Sequence, residues 1–148
     1  MSDNAARNGT VLYVEDEESD ALFMQRAFRK AGLESALRVV GDGQAAMDYL
    51  SGAGAYAERG RYPLPRVVLL DLNLPVVSGF EVLKWMRNQP VFKITPVVVF
   101  TSSPRAEDRQ RARELGADEF VEKPNSALLF GNVVQTLRER WLGEAGAK

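Results

Sequence analysis

The stretch Val67-Val68-Leu69-Leu70-Asp71-Leu72-Asn73-Leu74-Pro75 (VVLLDLNLP) decides the fold. Its apolar residues form a short unbroken run that stops at a charge, which suits a strand buried on both faces of a parallel sheet. Working outward, Val97-Val98-Val99-Phe100 repeats the pattern and stops at Thr101, and Val11-Leu12-Tyr13-Val14 stops at Glu15-Asp16. A weaker version, Leu37-Arg38-Val39-Val40, ends at Gly41, and Phe120-Val121 runs into Lys123-Pro124. Helical stretches lie between. Ser19 or Asp20 is placed to cap the first, which carries Ala21, Met24, Phe28 and Ala31 before Gly32 stops it. The second follows Asp42-Gly43 to about Leu50, the third runs from Ser78 to before Pro90, the fourth from Arg105 to Leu115, and the fifth from Ser126 to Leu142. Strand and helix alternate five times between Thr10 and Leu142, which predicts βαβ units with right-handed crossovers around one five-stranded parallel sheet.

Composition narrows the function. The 148 residues carry 19 Lys+Arg against 20 Asp+Glu, so no strong phosphate-neutralising field is present and a dedicated nucleic-acid binder is not expected. With no cysteine there is no disulfide framework, thiol nucleophile or Cys-based zinc site. With no histidine there is no Ser-His-Asp triad, and any phosphohistidine must come from a partner. The polar start, Met1 to Gly9, lacks a signal-peptide core, and the apolar runs are far shorter than the roughly 20 residues of a membrane span, so a cytoplasmic protein is expected. Residues 1–9 and 143–148 read as flexible tails around one domain, 10–142. Its extended connection Ser51–Arg66 (SGAGAYAERGRYPLPR) exceeds ordinary loop length, and reads either as functional or as a solvated insertion.

In an open parallel α/β sheet, ligands bind at the carboxyl ends of the strands. Glu15, Asp16, Asp71, Thr101 and Lys123 all fall there, contributed by four strands. Converging carboxylates repel one another unless a cation compensates, and few carboxylates in an open cleft favour Mg²⁺ over Ca²⁺. A carboxylate beside a divalent cation, an ammonium and a hydroxyl is equipped to act on a phosphoryl group, with Asp71 as nucleophile. Pro75 and Gly79 shape the turn into the third helix. Pro124 restricts the Lys123 backbone to extended conformations, and the sequence leaves the Lys123–Pro124 bond open to cis or trans.

The motifs VLYVEDEE (Val11–Glu18), VVLLDLNLP (Val67–Pro75), VVVFTSS (Val97–Ser103) and FVEKP (Phe120–Pro124) resemble those of the receiver domains of two-component response regulators. The resemblance implies the flavodoxin-like, doubly wound (βα)5 fold with strand order 2-1-3-4-5. It implies Asp71 as phosphoacceptor, and Mg²⁺ held by Asp16, Asp71 and the Asn73 backbone carbonyl with Glu15 acting through a water. Thr101 and Lys123 would meet the phosphoryl group, and Phe120 would be the switch aromatic that turns inward when Thr101 moves. Side chains near Asn73 and Ser103 would influence hydrolysis of the acyl phosphate, so the chain is expected to be a phosphoacceptor with self-catalysed phosphoryl transfer and slow autodephosphorylation, not a dedicated enzyme. The extended stretch before the third strand, with LLDLNLP and VVVFTSS, resembles the single-domain regulators that partner bacterial and cyanobacterial phytochromes, implying a sensor histidine kinase partner of that type. The chain ends soon after the fifth helix, so output is expected through protein contacts.

Three rivals share parts of this pattern. A haloacid-dehalogenase-type phosphatase needs a second aspartate two residues after the nucleophile, where Asn73 stands and cannot titrate. A flavodoxin-like electron carrier needs anion donors after the first strand, where Glu15-Asp16-Glu17-Glu18 would repel phosphate. A receiver that signals by binding alone has the same topology, and the complete motif set favours the active form. On the fifth helix Leu129, Phe130, Val133, Val134, Leu137 and Trp141 share an arc that Leu128 and Leu142 leave. These last two, with Trp141, are expected in a homodimer contact on the face of helix four, strand five and helix five. The Arg-rich fourth helix reads as a solvated face, and the kinase is expected to dock near Ala21, Leu22 and Met24.

Overall fold

The computed structural model describes residues 9–102 and 105–142. Met1 to Asn8, Ser103 and residues 143–148, on which the tail and hydrolysis expectations fall, lie outside the described residues.

Five parallel strands, β1 (Val11–Val14), β2 (Leu37–Val40), β3 (Val67–Leu70), β4 (Val97–Thr101) and β5 (Glu119–Glu122), pair in the order β2-β1-β3-β4-β5. Five helices alternate with them: α1 (Glu18–Lys30), α2 (Gly43–Ser51), α3 (Gly79–Arg87), α4 (Ala106–Glu114) and α5 (Phe130–Arg140). This is the flavodoxin-like doubly wound arrangement. Successive side chains of a strand face opposite sides of the sheet. Val11, Tyr13, Leu69 and Phe100 therefore join Met24, Phe28, Phe130 and Leu137 in the α1–α5 layer. Leu12, Val14, Val68 and Leu70 join Ala46, Leu50, Val82 and Met86 in the α2–α3 layer. α4 contributes Ala112 alone to a small third cluster with Leu72 and Val99. It is otherwise tethered by stacked cations, Arg109 over Phe120 at 4.5 Å and Arg111 over Phe80 at 4.1 Å.

Helix boundaries follow local chemistry. Asp42 caps α2 by accepting from Ala45 N at 2.7 Å, and Ser78 and Glu81 close a reciprocal capping box on α3. α1 departs from expectation, because Glu17 occupies the cap position and neither Ser19 nor Asp20 caps. α5 begins later than Ser126. A 3₁₀ turn, Ala127–Leu129, precedes it, with Ser126 accepting from Leu128 N, and this leaves Leu129 exposed. Leu142 contradicts its expected place in a dimer contact. It lies beyond the last helical residue, so helical periodicity no longer fixes its direction; its N–H returns to Leu137 O and its side chain, 1% exposed, joins the α1–α5 core. Trp141 is likewise packed against that core, with Nε1 donating to Glu119 Oε1 at 3.0 Å. Leu128 is 86% exposed but flanks α1, sharing a groove with Phe23, Arg26 and Ala27. Met24 is buried, so of the expected docking residues only Leu22 is exposed.

The extended connection Ser51–Arg66 is packed against the domain. Tyr49, Tyr56 and Tyr62 form a three-ring cluster with centroids 5.0 to 5.9 Å apart. Arg59 donates to the Tyr49 and Leu50 carbonyls, both at 2.8 Å, satisfying the open C-terminus of α2. Arg87 ties the far side similarly, donating to the carbonyls of Phe92, Thr95 and Gly116 and to Asp118.

Candidate functional site

The register of the sheet brings the strand ends level. Glu15 N donates to Val40 O, Asp71 N to Val14 O and Lys123 N to Thr101 O, so the residues leaving β1, β3 and β4–β5 share one end of the sheet. Asp71, Glu15 and Thr101 are buried there, and Asp16 is exposed. Gly79 lets the chain pass over this end: a Cβ at that position would stand 2.2 Å from the Asp71 carbonyl oxygen.

Lys123 organises the site. Its ammonium lies 2.8 Å from Glu15 Oε1, 2.9 Å from Asp20 Oδ2 and 3.1 Å from Asp71 Oδ2. The Lys123–Pro124 bond is trans, as are all described peptide bonds. Glu15 Oε1 also accepts from the Tyr13 hydroxyl at 2.8 Å, and Oε2 from Glu17 N at 3.1 Å. The other Asp71 oxygen accepts from Asn73 N at 3.1 Å, and the Asn73 amide reaches Thr101 Oγ1 at 3.4 Å. Burial pushes the Glu15 carboxyl up to about 7, against the lowering effect of its Lys123 and Tyr13 hydrogen bonds. Burial acts to lower the Lys123 ammonium, but the hydrogen bonds to Glu15 and Asp20 and the charge of Asp71 outweigh it and hold the group above its ordinary range.

All the strand-end residues singled out in the sequence therefore meet. Glu15, Asp16 and Asp71 each bring a carboxylate oxygen within 4.8 Å of the others, an all-oxygen donor set that fits a hard divalent cation. Phe120 stands one strand away, half-buried against Leu72, Val99 and Ala112 and covered by Arg109. Asp20 is the residue the sequence reading missed, since an aspartate beside a helix start reads first as a cap. Its spacing four residues after Asp16, in the first turn of α1, was the available signal.

The fold and site together define a flavodoxin-like α/β protein with an acidic, lysine-braced pocket at the carboxyl end of its sheet. Residues 11–133 match the response regulator receiver domain, and the chain belongs to that family of two-component signalling proteins. It is 33% identical to the response regulator Rcp1 of Synechocystis over 142 residues, 96% of this chain and 95% of Rcp1. The Mn²⁺-bound structure of Rcp1 superposes with a TM-score of 0.79, at 32% identity over 91% of this chain and 95% of that one. The phosphorylated cyanobacterial phytochrome response regulator RcpA gives a TM-score of 0.83 at 31% identity, covering 91% of this chain and 94% of RcpA. RPA3017, a response regulator in red light signaling of R. palustris, also gives 0.83, at 30% identity with the same coverage. No described helix is long and apolar enough to cross a membrane.

Proposed function

We propose that this chain is a phosphoryl-accepting response regulator whose acceptor is Asp71 and whose donor is the phosphohistidine of a phytochrome-type sensor kinase. The carrying observation is the position of Asp71: a buried carboxylate 3.1 Å from the Lys123 ammonium and beside two further carboxylates. Asp16, Asp71 and the Asn73 carbonyl would hold Mg²⁺ with Glu15 behind them, and the ion would supply charge neutralisation for the incoming phosphoryl oxygens. One Asp71 carboxylate oxygen attacks phosphorus, the N–P bond breaks, and its electron pair stays on the partner's imidazole nitrogen, which takes up a proton. Lys123 pairs with one phosphoryl oxygen and the Thr101 hydroxyl donates to another. The product carries roughly −1.5 to −2 charge, drawing Thr101 toward it and letting Phe120 leave Arg109 for the vacated space.

The kinase assignment is supported by the descriptions of RcpA as a phytochrome regulator and of RPA3017 as acting in red light signaling. A receiver unit of residues 10–142 working in the cytoplasm, with 51–66 as a packed platform, completes the reading. The α4–β5–α5 face, with its groove of about 200 Å³ lined by Val121, Val133 and Trp141, suits a homodimer or an output partner. Incubation with a phosphorylated phytochrome-type kinase tests the reading. Label should move to this chain with Mg²⁺ present, and should stay on the kinase with chelator or with Asp71→Asn.

A further inference from the structure

We propose that Asp20 is a positioning residue for phosphoryl transfer, drawing the Lys123 ammonium toward α1 so that Asp71 receives only the longest of its three contacts. The proposal rests on the reading of Asp71 as phosphoacceptor and concerns what keeps that carboxylate available.

A lysine ammonium has three N–H donors. Here all three are matched by carboxylates, and the two shorter contacts are to Glu15 and Asp20, at 2.8 and 2.9 Å, while Asp71 stands at 3.1 Å. Glu15 is fixed from three sides, by Lys123, the Tyr13 hydroxyl and the Glu17 N–H. Asp20 provides the second anchor from a different element. Because Glu17 takes the cap position, the Asp20 side chain is spared from capping and sits in the first turn of α1, where the helix dipole favours an anion. The Asp20–Lys123 bond spans 103 residues of sequence and ties the lysine to α1 as well as to the acceptor.

Without that anchor a donor of a nearly buried ammonium loses its acceptor, and the nearest remaining carboxylate with room for it is Asp71. A closer lysine there would tie up the attacking oxygen and compete with a divalent cation for the same group, which slows transfer. A residue serving only the helix N-terminus would act equally whether or not Lys123 were present. A double-mutant cycle separates the two roles.

The test measures uptake of the phosphoryl group from a small phosphodonor, at saturating Mg²⁺, by intact mass. The four proteins are wild type, Asp20→Asn, Lys123→Ala and the double variant, with Asp20→Glu as the conservative control. The expected result is uptake about tenfold slower in Asp20→Asn, largely recovered in Asp20→Glu, and no further slowing when Asp20→Asn is added to Lys123→Ala. Independently of turnover, the ¹⁵N–¹H signal of the Lys123 ammonium should shift on Asp20→Asn in the metal-free protein. Equal slowing in both backgrounds, unchanged uptake in Asp20→Asn, or an unmoved ammonium signal would overturn the role of Asp20. Wild type that takes up no phosphoryl group would instead overturn the acceptor reading on which it rests.

Discussion

Removing the Lys123 ammonium should destabilise the metal-free protein by an amount that grows with pH. In Lys123→Ala, Glu15, Asp20 and Asp71 face one another without their shared cation, and the side chains of Glu15 and Asp71 are 0% and 5% exposed. Breaking a buried ion pair by deleting one partner costs roughly 3–5 kcal/mol. Partial exposure of Asp20 and protonation of Glu15 reduce this, leaving about 3 kcal/mol at pH 8. Glu15 sets the pH dependence. Its carboxyl, at about 7 in the folded protein against an ordinary 4.5, contributes stability that is whole below 4.5 and lost as pH rises through about 7. Loss of Lys123 removes a lowering influence and raises the group further, so the deficit should shrink to about 1.5 kcal/mol at pH 5.5. The ammonium itself is held above its ordinary range, so its own contribution disappears only at alkaline pH, outside this window. Urea unfolding in chelator, followed by tryptophan fluorescence, should show a midpoint about 1.5 M lower at pH 8. Added Mg²⁺ should restore much of the loss by mass action. A variant as stable as wild type at pH 8, or a deficit independent of pH, would refute this reasoning.

Other consequences are more local. Arg87→Ala strips donors from the Phe92, Thr95 and Gly116 carbonyls and from Asp118, and should cost about 3 kcal/mol in chemical denaturation, with Arg87→Lys recovering part of it. Val76 has φ 64 and is spanned by a 2.7 Å bond from Val77 N to Pro75 O, the rare strained form of γ-turn. Relief of about 1–2 kcal/mol against roughly 0.5–1 kcal/mol of added unfolded-chain entropy makes Val76→Gly stabilising by about 0.5–1 kcal/mol in thermal melts. Burial holds the Tyr49 hydroxyl up to about 12, so its contribution is whole below pH 10 and lost as pH rises through 12. Tyr49→Phe should cost about 1 kcal/mol at pH 8, through the lost bond to Pro63 O, and should flatten the alkaline decline in stability.

What the sequence made legible follows from where the constraints are local. β1, β3 and β4 are buried on both faces, so their unbroken apolar runs announced them, and Glu15, Asp71 and Thr101 were marked by ending those runs. Helix starts at Asp42 and Ser78 were legible because a cap acts within one turn. Asp20 was misread because its partner is 103 residues away and its residue type has a common local use. Leu142 was misread because the helix stops at Arg140, so an angular argument extended past the end pointed the wrong way. The length of Ser51–Arg66 was plain, yet its packing was not, since Tyr56, Arg59 and Tyr62 acquire partners only once α2 is in place.

The central claim is that Asp71 accepts a phosphoryl group. Its most direct test is the intact mass of the protein after incubation with Mg²⁺ and a small phosphodonor, compared with Asp71→Asn. Wild type should gain one phosphoryl group and the variant none, and neither protein should gain any when Mg²⁺ is chelated. Equal labelling of Asp71→Asn, or an unlabelled wild type that binds Mg²⁺ and stays folded, would contradict it.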